Sequence, residues 1–128
     1  MTNQIQNSSD KTGKRGYDLA ERTARFGENV IGFVRKIPDN TINRPLISQL
    51  VRAGTSVGAN YMEADVAESR KDFFHKIGIV KKEAKETLHW FRMIAKASPD
   101  YTKECRILWQ EARELVLIFS AITKNKSK

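Results

Sequence analysis

The sequence predicts an all-α protein, an antiparallel up-down-up-down bundle of four helices, and three observations support this class. Apolar residues recur at alternating spacings of three and four in four segments, as they do on the core-facing side of a helix. Short polar or proline-containing stretches separate the segments, and no run alternates apolar and polar residues as a half-buried strand does. At 128 residues the chain is long enough for one domain with a modest core.

The first predicted helix begins near Tyr17 and ends at the polar turn that starts with Pro38. Residues 1–16 are polar and show no apolar period, so they are predicted to form a disordered tail. The bundle is then predicted to span residues 17–123, and residues 124–128 to form a basic C-terminal tail. The core-facing seam of this helix comprises Leu19, Thr23, Phe26, Val30, Phe33 and Ile37.

The second predicted helix, residues 46–64, has very few charges, and Pro45 suits its first turn. Its seam comprises Leu46, Leu50, Ala53, Val57, Tyr61 and Ala64, and Ile47, Val51, Gly54, Gly58 and Met62 extend the apolar face. Such a helix is predicted to be covered on more than one side, first by its own bundle and then by another subunit.

Polar side chains flank this helix at helical spacing and are the candidate oligomer interface. The alternative is a network within one subunit, in which Glu83 or Glu86 of the third helix pairs with Arg52, because a partly buried charge needs a partner. We call the candidate set the polar row: Gln49, Arg52, Ser56, Asn60 and Glu63, with Glu83 opposite them.

The third predicted helix begins at a capping box, Ser69 followed by Asp72, and extends for at least about seven turns. Its seam comprises Phe73, Ile77, Val80, Ala84, Thr87, Phe91 and Ile94. Basic residues follow the same spacing about 200° around the helix, opposite the core. They indicate either a solvated face or a phosphate-binding face. We call this set the basic stripe: Lys71, Lys82, Lys85, Arg92 and Lys96, with His75 and His89 among them.

The fourth predicted helix starts with Ser98 as its cap and Pro99 in its first turn. The seam of this helix comprises Tyr101, Cys105, Leu108, Ala112, Leu115, Phe119 and Ile122.

The two tryptophans, Trp90 and Trp109, suit either the core or an interface. Trp90, next to the basic stripe, is the side chain predicted to stack on a base.

No catalytic residue, metal site or cofactor is predicted. Glu86 with His89, and Asp72 with His75, have the spacing of di-iron bundle motifs, but both pairs lie on one helix about four turns apart. The two histidines therefore cannot share a metal within a subunit. Cys105 lies on a core seam without an activating base, and no glycine-rich phosphate loop or nucleophile elbow is present, so the protein is predicted to be non-enzymatic.

Charge and composition limit the kinds of partner that the protein is expected to bind. Lys and Arg number 23 against 15 Asp and Glu, and the formal net charge of +8 favours a polyanion such as RNA or DNA. The single cysteine excludes an internal disulfide framework. No signal peptide or membrane-spanning run is recognisable, so a cytoplasmic protein without membrane contact is predicted.

The chain resembles the bacterial 23S rRNA-intervening sequence proteins from about Tyr17 to about Ile122. One shared pattern comprises Arg52, Ala53, Ser56, Asn60 and Glu63, and a second comprises Lys82, Glu83, Ala84, Glu86, Thr87 and Trp90. The resemblance implies a four-helix bundle. Through the family's similarity to the accessory protein of diversity-generating retroelements, it also implies a homopentameric barrel with a positively charged surface that binds nucleic acid. The family name denotes a genomic location and implies no activity.

Two functions follow as expectations. The first is a homo-oligomeric bundle, expected to be a pentamer, that binds structured RNA or DNA mainly through phosphate contacts of the basic stripe. The second is an oligomeric scaffold that docks an acidic protein partner without binding nucleic acid directly.

Overall fold

A computed structural model describes residues 15–127. Four helices span Arg15–Val34 (α1), Asn43–Asp65 (α2), Arg70–Ala97 (α3) and Thr102–Lys124 (α4), and the described residues contain no strand. The predicted all-α class is confirmed. Helix α1 begins two residues before the predicted start of the bundle, and the rest of the predicted N-terminal tail, residues 1–14, lies outside the described residues. At the other end, Asn125–Ser127 adds a 3-10 turn after α4.

Helices α2 and α3 run antiparallel. The carboxylate of Glu63, late in α2, pairs with Lys76, early in α3, whereas Arg52 of α2 pairs with Glu83 farther along α3. Helices α1 and α2 are also antiparallel, and they approach closely. A Cβ placed on Gly58 would lie 3.2 Å from the carbonyl oxygen of Thr23, near the start of α1. Absence of a side chain at that point allows the close approach.

The predicted seams form the core. Most of their residues are buried, and the half-buried ones lie mainly near helix ends. Phe91 of α3 lies between two rings of α1, since its centroid is 6.4 Å from that of Phe26 and 6.2 Å from that of Phe33. At the other end of the core, the ring of Tyr61 lies 5.9 Å from that of Phe119. Helical periodicity therefore identified the packed face of every helix.

One residue of the extended apolar face of α2, Met62, is not covered by its own bundle. Its side chain is 57% exposed and lies at the groove between α1 and α2, where coverage by another subunit stays a prediction. The predicted capping box is confirmed at α3, where the hydroxyl of Ser69 accepts a 3.0 Å hydrogen bond from the backbone N–H of Asp72.

The predicted cap of α4 is corrected. A 3-10 turn, Pro99–Tyr101, precedes α4, and the side chain of Ser98 caps neither element. Ser98 is buried, and its hydroxyl donates instead to the side-chain oxygen of Asn43, 3.3 Å away. A buried hydroxyl beside a buried amide forms that bond because neither can reach water.

Candidate nucleic-acid interface

All residues of the basic stripe are exposed along α3, on the side opposite its core seam. Among residues 19–126, whose side chains the structure describes, no carboxylate lies within ion-pair distance of Lys71, Lys82, Lys85, Arg92 or Lys96. The stripe is interrupted at Gly78, where a Cβ would meet no atom within 4 Å. A depression of about 500 Å³ lies there, with Lys81, Lys82 and Lys85 in its wall together with Glu86.

Carboxylates of α4 are held on the far side of that helix. Glu111 receives two hydrogen bonds of 2.8 Å from the guanidinium of Arg22, and Glu114 receives a third of 2.8 Å from the same group. These bonds to carboxylates raise the pKa of Arg22 well above its usual value. Lys36, just after α1, pairs with Glu104 near the start of α4, whereas Arg22, early in α1, pairs farther along α4, so α1 and α4 run antiparallel.

Cations of α4 lie on its other flank, and this set was missed in the sequence. Lys103, Arg106, Arg113 and Lys124 are exposed, and none of them forms an ion pair with another described residue. We call them the α4 line. The sequence does contain a signal for the α4 line, because residues 103, 106, 110 and 113 follow the same helical spacing that identified the basic stripe.

A groove between α3 and α4 brings the basic stripe and the α4 line together. It has a volume of about 380 Å³, and its walls come from Phe91, Ala95, Cys105 and Trp109. Arg92 of the stripe and Arg106 of the α4 line both line it, and no carboxylate does. The groove is thus an apolar trough with two guanidinium groups beside it.

The two tryptophans differ in their contacts. The indole N–H of Trp90 donates a 2.9 Å hydrogen bond to Glu86, which fixes this ring on the flank of α3. That bond, with the guanidinium of Arg52, lowers the pKa of Glu86 against the opposing effect of burial. Trp109 is half-buried, and its indole N–H has no hydrogen-bond partner among residues 19–126, whose side chains the structure describes. The ring with a free donor is therefore Trp109.

Arg52 is bonded within its own subunit, as the intramolecular alternative predicts. Its guanidinium donates to Glu83 at 3.1 Å and to Glu86, and its Nε donates to the side chain of Gln49 at 3.2 Å. Glu83 is only 14% exposed, so Arg52 supplies the charge that this carboxylate needs.

The rest of the polar row is likewise bonded internally. The hydroxyl of Ser56 donates to the carbonyl of Arg52 at 2.6 Å, and the amide of Asn60 donates to the carbonyl of Ser56 at 2.9 Å. Glu63 accepts from Lys76. The structure brings the row together on the α2–α3 side of one subunit, and a partner subunit is not required to satisfy these groups.

Cys105 is a core residue, as predicted. The residue is 3% exposed, and burial together with the nearby Glu104 raises the pKa of its thiol to about 11. A protonated, buried thiol is a poor nucleophile. Within the described residues no three His, Cys, Asp or Glu side chains converge as a metal site requires, and none of the described helices combines the length and apolar character of a membrane span.

The number of helices and their antiparallel packing place the chain among all-α four-helix-bundle proteins. The chain belongs to the 23S rRNA-intervening sequence protein family, whose model matches residues 15–115. This result confirms the resemblance found in the two sequence patterns. A search of curated proteins found no match.

A solved structure with the same fold comes from Bacteroides thetaiotaomicron VPI-5482 and is described as a protein with unknown function from the S23 ribosomal protein family. Its superposition gives a TM-score of 0.79 at 24% sequence identity and covers 87% of this chain and 99% of that chain. At this identity the similarity shows the fold alone.

Proposed function

We propose that this protein is a non-enzymatic, cytoplasmic homo-oligomer, a pentamer as the family resemblance implies, that binds structured RNA or DNA through its basic stripe. The single observation that carries the proposal is that the stripe has no ion-pair partner among the described side chains of residues 19–126. Lysines and arginines that form no ion pair can contact phosphate groups without first breaking one.

The distribution of ion pairs supports this assignment. Carboxylates of α4 pair with α1, and Glu83 and Glu86 pair with Arg52 on α2. The positive excess is thereby left on the α3–α4 side, where the stripe and the α4 line lie. Repetition of that side in a ring would present several phosphate-binding faces to one nucleic acid and raise the overall affinity.

Self-association has its own support on the opposite side of the bundle. Met62 and Ile31 are exposed large apolar side chains, and they lie beside a groove between α1 and α2 that is lined mostly by small residues such as Gly27 and Ala59. Surfaces of this kind favour close helix contacts between subunits. The polar row lies on the neighbouring α2–α3 side and remains the predicted interface.

The test of nucleic-acid binding is a salt series with nuclease-treated protein, structured RNA and duplex DNA. The triple variant with Lys82, Lys85 and Arg92 replaced by Glu is expected to lose most of its affinity and to reduce the salt slope by about three. Its control reverses the same amount of charge on the α1–α2 side, at Arg25, Arg35 and Arg44, and is expected to bind nearly as well as the wild type.

Equal loss in both triple variants would mean that net charge alone drives binding, and the stripe assignment would be abandoned. Absence of binding even at low salt would leave the scaffold alternative. A pull-down after nuclease treatment identifies that case, because an acidic protein partner survives nuclease whereas one bridged by nucleic acid does not.

The test of the polar row is solution mass by analytical ultracentrifugation. Arg52→Ala removes internal bonds to Glu83 and Glu86 and is expected to lower stability as well as mass. Asn60→Leu is the cleaner variant, because it removes only a local bond to Ser56. A lower mass supports an interface, with Asn29→Leu on α1 as the exposed control. An unchanged mass for Asn60→Leu contradicts the interface.

A further inference from the structure

Three features of the α3–α4 groove point to a ligand with a flat apolar face and a negative charge. Its walls are mostly apolar, Trp109 with its free indole N–H lines it, and Arg92 and Arg106 line it from opposite helices. Glu104, the nearest carboxylate along α4, is paired with Lys36 and does not neutralise either arginine. A nucleotide has both features, because it joins a flat aromatic base to a negatively charged phosphate.

We propose that this groove binds one unpaired nucleotide of the nucleic acid, with its base against Trp109 and its phosphate between Arg92 and Arg106. The inference rests on the proposed function and adds a base-contacting site that is distinct from the phosphate contacts of the stripe. Thr102 and Gln110 line the same groove and supply polar groups for the edge of the base.

The nucleotide must be unpaired, since a base within a duplex is stacked on both faces and cannot offer either to an indole. Loops and bulges of structured RNA, or single-stranded DNA, present such bases. Arg92 belongs to both the groove and the stripe, so the backbone that leaves the groove meets Lys85 and Lys96 on the same face of α3. One strand can therefore occupy both surfaces.

Trp90 is excluded from this role by its geometry. Its N–H is already bonded to Glu86, and it does not line the groove. This difference makes the proposal measurable, because the chain has only two tryptophans. Trp90→Phe leaves Trp109 as the sole indole fluorophore, and Trp109→Phe leaves Trp90.

The first experiment titrates both single-tryptophan variants with a short oligouridylate, duplex RNA of equal length, and inorganic polyphosphate. Oligouridylate is expected to quench Trp109 in a saturable manner and to leave Trp90 nearly unchanged. Polyphosphate is expected to bind the stripe without quenching Trp109. Quenching of Trp109 by polyphosphate to the same extent would show an anion site without base contact and would overturn the proposal.

The second experiment measures affinity. Trp109→Leu and Arg106→Ala are each expected to weaken oligouridylate binding about tenfold or more and to change duplex binding by less than about twofold. Arg44→Ala, which removes one exposed charge on α2, is the matched control for Arg106→Ala. Circular dichroism verifies that each variant remains folded, and Arg106→Ala tests the groove with an exposed residue if Trp109→Leu does not fold.

The two proposals fail in different ways. If duplex and oligouridylate bind in a salt-dependent manner and substitution of Trp109 or Arg106 changes neither affinity, the groove proposal is wrong and the stripe proposal is retained. If the wild-type protein binds none of the probes, both the proposed function and the groove proposal are wrong. A change in solution mass for Trp109→Leu, without a specific loss of oligouridylate affinity, would make the groove a contact between subunits and would also overturn the inference.

Discussion

The hydroxyl of Ser98, at the end of α3, donates a hydrogen bond of 3.3 Å to the side-chain oxygen of Asn43, at the start of α2. The amide nitrogen of Asn43 in turn donates to the carbonyl of Pro38 at 2.8 Å. Asn43 is 1% exposed, so one buried carboxamide ties the connection between α1 and α2 to the C-terminus of α3.

Replacement of Asn43 by Ala is expected to lower the free energy of unfolding by about 1–3 kcal/mol, because it leaves buried groups of Ser98 and Pro38 without partners. Urea denaturation measures the change, and Asn29→Ala, an exposed asparagine on α1, serves as the control. Equal stability of the two variants would show that water replaces the carboxamide at this junction.

Close packing of α1 and α2 makes a second prediction at Gly58. A Cβ there would lie 3.2 Å from the carbonyl oxygen and 3.3 Å from the carbonyl carbon of Thr23, and backbone atoms cannot move aside without separating the helices. Gly58→Ala is therefore expected to destabilise the protein by about 1–3 kcal/mol despite a gain in helix propensity.

Gly32 provides the matched comparison on α1, since a Cβ there would meet no atom within 4 Å. Gly32→Ala is expected to stabilise the protein by about 0.5–1 kcal/mol through helix propensity alone. Thermal melts of both variants measure the opposite signs. A stabilised Gly58→Ala would mean that the two helices separate at little cost.

The hydrogen bond from Trp90 and the guanidinium of Arg52 make stability depend on pH through Glu86. Because these contacts lower the pKa of Glu86 in the folded chain, its stabilising contribution is complete above the unfolded value of about 4.5 and is lost as pH falls through the folded value. The melting temperature of Glu86→Gln is expected to be below that of the wild type at neutral pH and to converge with it in acid.

Glu68 is the appropriate comparison, because it is exposed and forms no ion pair within the described part of the chain. The melting temperature of Glu68→Gln is expected to follow the wild type at every pH. A difference in melting temperature between Glu86→Gln and the wild type that stays constant down to strong acid would show that the charge of Glu86 does not contribute to stability.

Burial of Cys105 predicts slow chemistry at its thiol. With its pKa raised to about 11, the thiol holds about a hundredfold less thiolate at pH 8 than a cysteine with the usual value of 9.0. Iodoacetamide is expected to alkylate the native protein at least that much more slowly than the urea-unfolded chain, as measured by intact mass. Similar rates in the two states would require frequent local opening of α4.

The same shift determines how alkali affects stability. A raised pKa in the folded state means that the stabilisation from the neutral thiol is complete below about pH 9 and is lost as pH rises towards 11. Cys105→Ser is the comparison, since its hydroxyl does not ionise in this range. The difference in melting temperature between the two proteins is expected to change only above about pH 9.

Sequence periodicity by itself determined the number of helices, their seams and the capping box at Ser69, because spacing along a helix is a local property. It also determined that the basic stripe lies opposite the core seam of α3. Membership in the 23S rRNA-intervening sequence family is likewise read from the sequence, over residues 15–115.

Only the tertiary structure decided which flank of each helix meets which neighbour. It assigned Arg52 to Glu83 and Glu86, turned Ser98 towards Asn43, left Met62 exposed, and placed Trp109 between the stripe and the α4 line. The physical reason is that these contacts depend on the order of helices around the bundle and on the rotation of each about its axis. Neither quantity is encoded in the spacing of residues along one helix.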